Sequence, residues 1–416
     1  NTTINFGGSA GRIEMLDPHS NVVWHFVLNS NSLISHHDIE VLPNGNILIL
    51  ACEVISAQDA VLNGSLINDT RYSEKLIEVN PNTNQIVWEW RAWDHLVQDI
   101  DSFKLNYAFI SNSPHRIDVN YAYDGTDPDW LHINSIDYNQ DLDQIILNCP
   151  EFSEFWIIDH STTTEEAASH TGGNSGKGGD FLFRYGNPSN YGSSENKVIT
   201  SAVHDVRWVK SGRPYAGWLQ FFNNSAGVGG SSVVDAINPS KDGYNYNFVN
   251  GSVQPTAHEW RHECIVSSSG QSASDRLSNG NLFVAVSREY MYEVDSNDNL
   301  VWQYSDGPPK AFRRECDHSG IINLLNNPCD IEITGITSLD LANISLSPNP
   351  SFGNIEIAGL EDIQNYKISV VNMLGKVVFQ TQNQTELSLN GLENGLYIIN
   401  IVTDKNKVTK SLILSK

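Results

Sequence analysis

Apolar and polar residues alternate along most of the chain, in short runs bounded by Gly, Pro, Asn and Asp, which is the pattern of half-buried β-strands. Two phrases recur. The first sets a histidine just ahead of a strand, a tight turn and a second strand: "HHDIEVLPNGNILIL" (36–50), "LHINSIDYNQDLDQIIL" (131–147) and "HDVRWVKSGRPYAGWLQFF" (204–222). The second is an acidic or Asn-rich turn leading into an aromatic strand: "LDPHSNVVWHF" (16–26), "NPNTNQIVWEW" (80–90) and "VDSNDNLVWQY" (294–304), with "GDFLFRYG" (179–186) and "GYNYNFV" (243–249) as looser copies. Joined, the phrases make units of roughly four strands over 37–90, 132–185, 204–249 and 270–304. Self-similar units of that size predict a β-propeller. The N-terminal stretch 11–26 reads as outer strands without an inner one, and "HSGIINLL" (318–325) as an inner strand without outer ones. Together they complete a fifth unit by circular closure. The segment 93–109, "WDHLVQDIDSFKLNYAF", is the one place where helical spacing holds.

After Pro328 the pattern changes to about seven short strands, among them 346–357, 366–380 and 392–414. The expected organisation is all-β: a propeller over 1–330, a linker over 331–342 and a small Ig-like β-sandwich over 343–416.

Composition narrows the function. With Lys+Arg 25 and Asp+Glu 49, the 416-residue chain has a formal charge of −24. That opposes nonspecific binding to nucleic acid or to anionic membranes. No apolar run reaches the length of a membrane span. The chain opens on polar residues, as a mature exported chain does once its signal is removed. Cys316 and Cys329 are close enough in sequence to pair, whereas Cys52, Cys149 and Cys264 read as small residues on buried strands. No CxxC pair or HExxH helix points to zinc, so no metal or cofactor is expected. "HTGGNSGKGGD" (170–180) is no phosphate loop: three residues separate Gly172 from Gly176, and Gly178 stands where Ser or Thr is needed. It reads as a blade loop, "TTTEEAA" as a capped turn, "DGTDPD" (124–129) as a solvated turn and "WEWRAW" as blade packing.

Two resemblances add to this reading. Pro348-Asn349-Pro350, "VVNMLGKVV", "GLENGLYIINI" and the basic "KNKVTKSLIL" end resemble, in order, the type A sorting domain of the type IX secretion system of Bacteroidetes. This implies export through the periplasm and outer membrane, docking on the type IX translocon and its outer-membrane shuttle, and a secreted or cell-surface location. The propeller resembles the arylsulfotransferase-like proteins through "HHDIEVLPNGNILIL", "KLIEVNPNTNQIVWEWRAWDHL", "DWLHINSIDYN", "FWIIDHSTTTEEAASHTGGNSGKGGDFLFRYGNP", "HDVRWV" and "DRLSNGNLFVAVSREYMYEVDSNDNLVWQY". Six blades are implied, against five counted, with the active site at the central channel. So is a ping-pong transfer of a sulfuryl group from an aryl sulfate to a phenol through a sulfo-histidine.

Inner strands line a propeller axis, so histidines at equivalent strand starts converge. A histidine ahead of a strand is ordinarily a turn or core residue; three at equivalent positions, one within His-x-Asn, favour a functional cluster. By resemblance His204 is the nucleophile. His37 and His132 stabilise sulfuryl oxygens or move the phenol proton, and Asn134 donates an amide hydrogen bond. His36 reads as structural, and His262 and His318 are further candidates for the ring. Asp38 and Asp205 follow histidines, but strand alternation turns them to the opposite face. The family's arginine after His-x-Asn is missing from "IILNCPEFSEFWIIDH" (145–160). Arg184, Arg207, Arg313 and Arg314 are candidate substitutes. The rival reading is a non-catalytic propeller that binds glycan or protein.

Overall fold

The structure is a computed structural model. It describes residues 4, 6–193, 199–249, 252–316, 318–324, 344–360, 365–373, 375–403 and 407–416. The chain divides into two compact units, Asn1–Glu315 and Cys316–Lys416.

The first unit is a β-propeller. Among its described residues four antiparallel sheets of four strands follow one another. The first blade is Leu33–Val41, Ile47–Ile55, Arg71–Asn80 and Gln85–Arg91; the second is Ser135–Asn139, Gln144–Cys149, Glu154–Asp159 and Phe183–Tyr185. The third is Val203–Trp208, Leu219–Asn223, Val233–Ile237 and Trp260–Glu263; the fourth is Ala273–Arg276, Leu282–Ala285, Met291–Val294 and Leu300–Tyr304. Arg12–Leu16 and Val22–Val27 pair as a two-stranded sheet whose Ile13 packs with Ile47, Ile49 and Ile77 of the first blade. Middle strands are buried on both faces: every residue of Gln144–Cys149, Glu154–Asp159, Leu219–Asn223 and Val233–Ile237 is buried. Phe155, Tyr185 and Phe221 interlock between the second and third blades, each such ring being worth about 1.5–3 kcal/mol on burial.

Three sequence expectations give way. Segment 93–109 is not an α-helix but a 3-10 turn over Ala92–His95, a two-residue strand Leu96–Val97 paired with Ile117–Asp118, and then irregular chain. Its Gln98 side chain accepts from the backbone of Ile100 and Asp101 and donates to the Asp101 carbonyl, so it competes with a helix. Phe103 and Leu105 are exposed, so a helical apolar stripe has nothing to pack on. The third blade's outer strand is Trp260–Glu263, not 243–249. The latter contributes to small hairpins, and Tyr246 reaches the second blade through its hydroxyl on Gln144 Oε1, 2.8 Å. The expected inner strand at 318–325 is helical over Ser319–Leu324, with the His318 ring accepting from Gly320 N at the first turn; residue 325 lies outside the described residues.

Among the described residues the second unit has seven strands in sheets of three and four, Ser345–Ser347, Asn354–Ala358 and Glu386–Ser388 in one and Tyr366–Asn372, Val377–Gln382, Gly395–Thr403 and Lys407–Leu414 in the other. Ile355, Ile368, Val370, Ile399 and Leu412 are among the residues filling the space between them. Asn349 clips the Pro-Asn-Pro turn to the last strand, donating to Ser411 O (2.8 Å) and accepting from Ile413 N (2.9 Å). Cys316 is disulfide-bonded and Cys52, Cys149 and Cys264 are free thiols. Cys329 and the linker 331–342 lie outside the described residues.

His160 ties the second blade to the first. Nδ1 meets Asp143 Oδ1 at 2.7 Å and Nε2 meets Glu78 Oε2 at 2.9 Å. Burial alone would lower its pKa, but the hydrogen bonds and charges of the two carboxylates override this and raise it to about 9. The folded value lies above the unfolded one, so this stabilisation is complete below about pH 6.5 and lost as pH rises through about 9. His160→Gln should flatten the fall of melting temperature between those limits, removing of order 3 kcal/mol of pH-dependent stability; an unchanged slope would refute the assignment.

Candidate active site

Each inner strand of the four blades carries, within it or just ahead of it, a non-glycine residue whose φ is positive: His37 at 48°, His132 at 50°, Asp205 at 51° and Gln271 at 60°, the last followed by Ser272 at 85°. Left-handed backbone at a non-glycine residue is strained, by about 1–3 kcal/mol, and such strain clusters at functional sites. It also breaks strand alternation. In the first blade Ser35 pairs with Ala51 and Ile39 with Ile49, so residues 36–38 bulge; in the third, His204 pairs with Phe222 and Arg207 with Gln220. Bulges re-aim side chains. Asp205 therefore lines the same cavity as His204 instead of turning away, contrary to the alternation expected for it.

His37, His132, Asn134 and His204 line one cavity of about 330 Å³, together with Gly7, Gly8, Gln271 and Lys310. The His37 and His132 rings stand 4.7 Å apart and nearly perpendicular. The N-terminal segment covers these rings closely: a Cβ on Gly8 (φ +80°) would lie 2.3 Å from the His37 ring. Alanine there meets both the ring and an unfavourable φ.

Hydrogen bonds define each imidazole. His204 Nδ1 faces two acceptors, Ala202 O at 2.8 Å and Asn224 Oδ1 at 2.9 Å. Asn224 is oriented by donating Nδ2 to Ser268 O and Gln271 O. Nδ1 thus holds the proton of a neutral His204, and Nε2 keeps its lone pair. His132 Nδ1 is bound by Asp129 Oδ2 at 2.5 Å. His37 Nδ1 shares a hydrogen bond with His36 Nδ1 at 2.9 Å, and buried His36 is held through Nε2 by Glu74 at 2.8 Å. Asn134 is oriented through Oδ1, which accepts from Asn148 Nδ2 at 2.6 Å; its Nδ2 is buried without a partner.

The electrostatics separate the three histidines. Burial, outweighing the hydrogen bonds to Ala202 and Asn224, lowers the pKa of His204. Burial and then the neighbouring His36, His132, His204 and Lys310 lower His37 to about 2. Burial opposes charge on His132 too, but the Asp129 hydrogen bond and charge prevail and raise it. Two neutral imidazoles thus face one that favours its proton.

None of the four candidate arginines lines this cavity. Arg184 is fully buried against Glu154, Arg313 pairs with Glu293, and Arg314 lines a separate small pocket with Phe312. Arg207 lies beside the cavity wall, 2.8 Å from Asp205 and stacked on Phe312. The lining cation is Lys310, bound to Asp38 at 2.7 Å and Asp205 at 3.2 Å. Sequence reasoning passed over it, although "GPPKAFRR" (307–314) is a basic run in a strongly acidic chain. Asp129 was hidden in a stretch read as a solvated turn. His262 does not join the ring: it sits on the third blade's outer strand between Tyr292 and Asp298. His318 is exposed and belongs to the second unit.

The arylsulfotransferase (ASST) profile matches residues 2–307 and the secretion system C-terminal sorting domain profile residues 345–415. No curated protein matches the chain significantly. Solved structures similar to it include BamB from Moraxella catarrhalis, at 9% identity over 98% of this chain and 81% of that one with a TM-score of 0.31. The periplasmic gluconolactonase PpgL of Pseudomonas aeruginosa matches at 9% over 94% and 79% with a TM-score of 0.33. The Dos1 propeller matches at 9% over 98% and 76% with a TM-score of 0.31. The C-terminal domain marks the chain for type IX export to the cell surface or beyond, and among the described residues no helix is long and apolar enough to cross a membrane. With the first profile spanning all four blades and the histidine cavity at their inner strands, the chain belongs to the arylsulfotransferase (ASST) family.

Proposed function

We propose that the protein transfers a sulfuryl group from an aryl sulfate to a phenolic acceptor through a sulfo-histidine at His204. The carrying observation is the His204 ring: Nδ1–H is held by two acceptors and Nε2 is unpartnered, in the cavity that Asn134 also lines. A neutral imidazole locked in one tautomer is an activated nucleophile.

In the first half-reaction the Nε2 lone pair forms a bond to sulfur and the sulfur–aryl-oxygen bond breaks. The departing phenolate takes a proton from His132, whose raised pKa suits it to be the acid. Asn134 Nδ2 and Lys310 Nζ face the sulfuryl oxygens, and His37 lies on their other side. Asn224 Oδ1 and Ala202 O stabilise the positive charge on the sulfated ring. In the second half, neutral His132 takes the phenol proton, the phenol oxygen attacks sulfur and the nitrogen–sulfur bond breaks. Lys310 takes the place of the arginine that the resemblance leads one to expect.

His204→Ala should abolish cleavage of a chromogenic aryl sulfate, and brief exposure of the wild type to donor alone should leave a sulfated His204 peptide, kept neutral or alkaline because the nitrogen–sulfur bond is acid-labile. Lys310→Ala should cost roughly 10²–10³ in rate, with Lys310→Arg recovering part of it. Equal turnover by His204→Ala would overturn the assignment. A wild type inert towards every phenol offered would leave the rival, a propeller that only binds. The rate for the donor half-reaction should fall on the acid side as His204 protonates below its ordinary value, and on the alkaline side as His132 loses its proton above its ordinary value. A flat profile on either side would remove that histidine from its role.

Removal of 345–415 should leave the chain in the periplasm of a type IX-secreting host, as read by cell fractionation. Unaltered surface delivery would show that another segment directs export.

A further inference from the structure

The glycine-rich stretch 170–180 lies outside the histidine cavity. It is not loosely held. Gly172, Gly173, Gly176 and Gly178 all have positive φ, and the backbone folds on itself through Gly178 N to Gly172 O and Gly179 N to Ser169 O. A Cβ on Gly179 would lie 2.0 Å from Ala167 O and 2.5 Å from His95 Nε2. The glycines thus allow the loop to press Asp180 and His170 against His95, which follows the first blade's outer strand.

There, one ring nitrogen of His95, one of His170 and one carboxylate oxygen of Asp180 lie within 4.8 Å of one another. His95 Nδ1 and His170 Nδ1 stand 2.7 Å and 2.8 Å from the same oxygen, Asp180 Oδ1. The His95 side chain is fully buried, Asp180 nearly so, and His170 is 42% exposed, so the cluster opens to solvent on the His170 side. His95 Nε2 lies 2.9 Å from Ala167 O. Both nitrogens of His95 therefore face acceptors, and a neutral imidazole has one N–H to give. With that N–H on Ala167 O, Nδ1 turns a lone pair towards a carboxylate. A cation between them resolves the conflict, and a histidine donating its far nitrogen to a carbonyl is the usual outer support of a metal ligand. Trp90 stacks on His95 at 5.6 Å and donates to Gly179 O, fixing both sides of the cluster. Arg116 Nε lies 3.4 Å from the other oxygen of Asp180.

We propose that His95, His170 and Asp180 form a site for a divalent transition-metal ion of the zinc class. Two imidazole nitrogens and one carboxylate oxygen, with a fourth position open to water, suit zinc. Tetrahedral zinc ligand atoms stand about 3.3 Å apart, so the contacts widen by about half an ångström to admit the ion. The ion joins the segment after the first blade to the loop ahead of the second blade's outer strand, and acts as a clip between them.

The test uses the untagged full chain, stripped with a chelator and titrated with Zn²⁺ against a chromophoric competitor. One equivalent should bind and raise the melting temperature. His170→Ala removes a partly exposed ligand, so its metal-free melting temperature should match that of the stripped wild type. Its affinity should fall by more than the 10–100-fold typical of a lost outer-shell partner. His132→Ala separates this cluster from the histidine cavity and should retain the equivalent. The proposal fails if stripped wild type takes up no zinc, if His170→Ala binds as tightly as wild type, or if the equivalent disappears in His132→Ala.

Discussion

Three aspartates join the inner strands of successive blades. Adjacent propeller sheets share no backbone ladder, so where the inner strands crowd the axis their relative height must be set by side chains. Asp38 accepts from Ile136 N at 3.0 Å, Asp137 from Trp208 N at 2.9 Å and Asp205 from Ser274 N at 3.4 Å, each linking one blade to the next. Three carboxylates this close, Asp137 and Asp205 buried and Asp38 half-buried, repel one another and are costly to desolvate. Arg207 lies among all three, 2.8 Å from Asp205, 3.9 Å from Asp38 and 4.0 Å from Asp137, and Lys310 bridges Asp38 and Asp205. Burial raises the pKa of Asp137 although Arg207 counters it, whereas Arg207 and Lys310 outweigh burial at Asp205 and lower its pKa. Of these two, Asp137 has the more distant cation.

The same ring shapes the histidine cavity. To bring Asp38 and Asp205 onto their neighbours' backbones, both strands bulge immediately beside a histidine, and those bulges turn His37 and His204 into one space. Lys310 belongs to both systems. Its ammonium neutralises the ring and also lines the cavity, so its field towards a bound anion is that of a cation already shared by two carboxylates. A free arginine would present a stronger, two-pronged donor set.

How far the sequence revealed this follows from what each signal measures. Strand alternation and Asn-Gly turns report local geometry, so the first, second and fourth blades and the seven-stranded C-terminal unit were legible. Repetition exposed His37, His132 and His204 because inner strands run beside the axis, so residues in them or just ahead of them reach one cavity. The failures came where a side chain fixed the backbone. Gln98 occupied the amides that a helix needs, Tyr246 was drawn to another blade, and the His318 ring was placed at a helix start. Asp129 and Lys310 repeat in no phrase, and Lys310 comes from beyond the last outer strand to meet Asp38 across nearly the whole propeller sequence. Alternation misled at Asp205 because a bulge carries no mark in sequence.

The missing arginine can be understood from the residue that holds the second blade's strand end. Asn148 donates Nδ2 to Asn134 Oδ1 and Val203 O, both at 2.6 Å, and is fully buried. It therefore sets the direction of the Asn134 amide and links the second blade to the third beside His204. A guanidinium at this place would bring a charge into that fully buried contact, which is costly to desolvate. The cation is supplied instead by Lys310, on the far side of the ring from Asn148 in sequence and anchored by Asp38 and Asp205. On the proposed reaction, Asn134 then contributes direction and Lys310 contributes charge. The two tasks that one arginine can combine are divided between residues whose positions are set by the same blade-to-blade contacts.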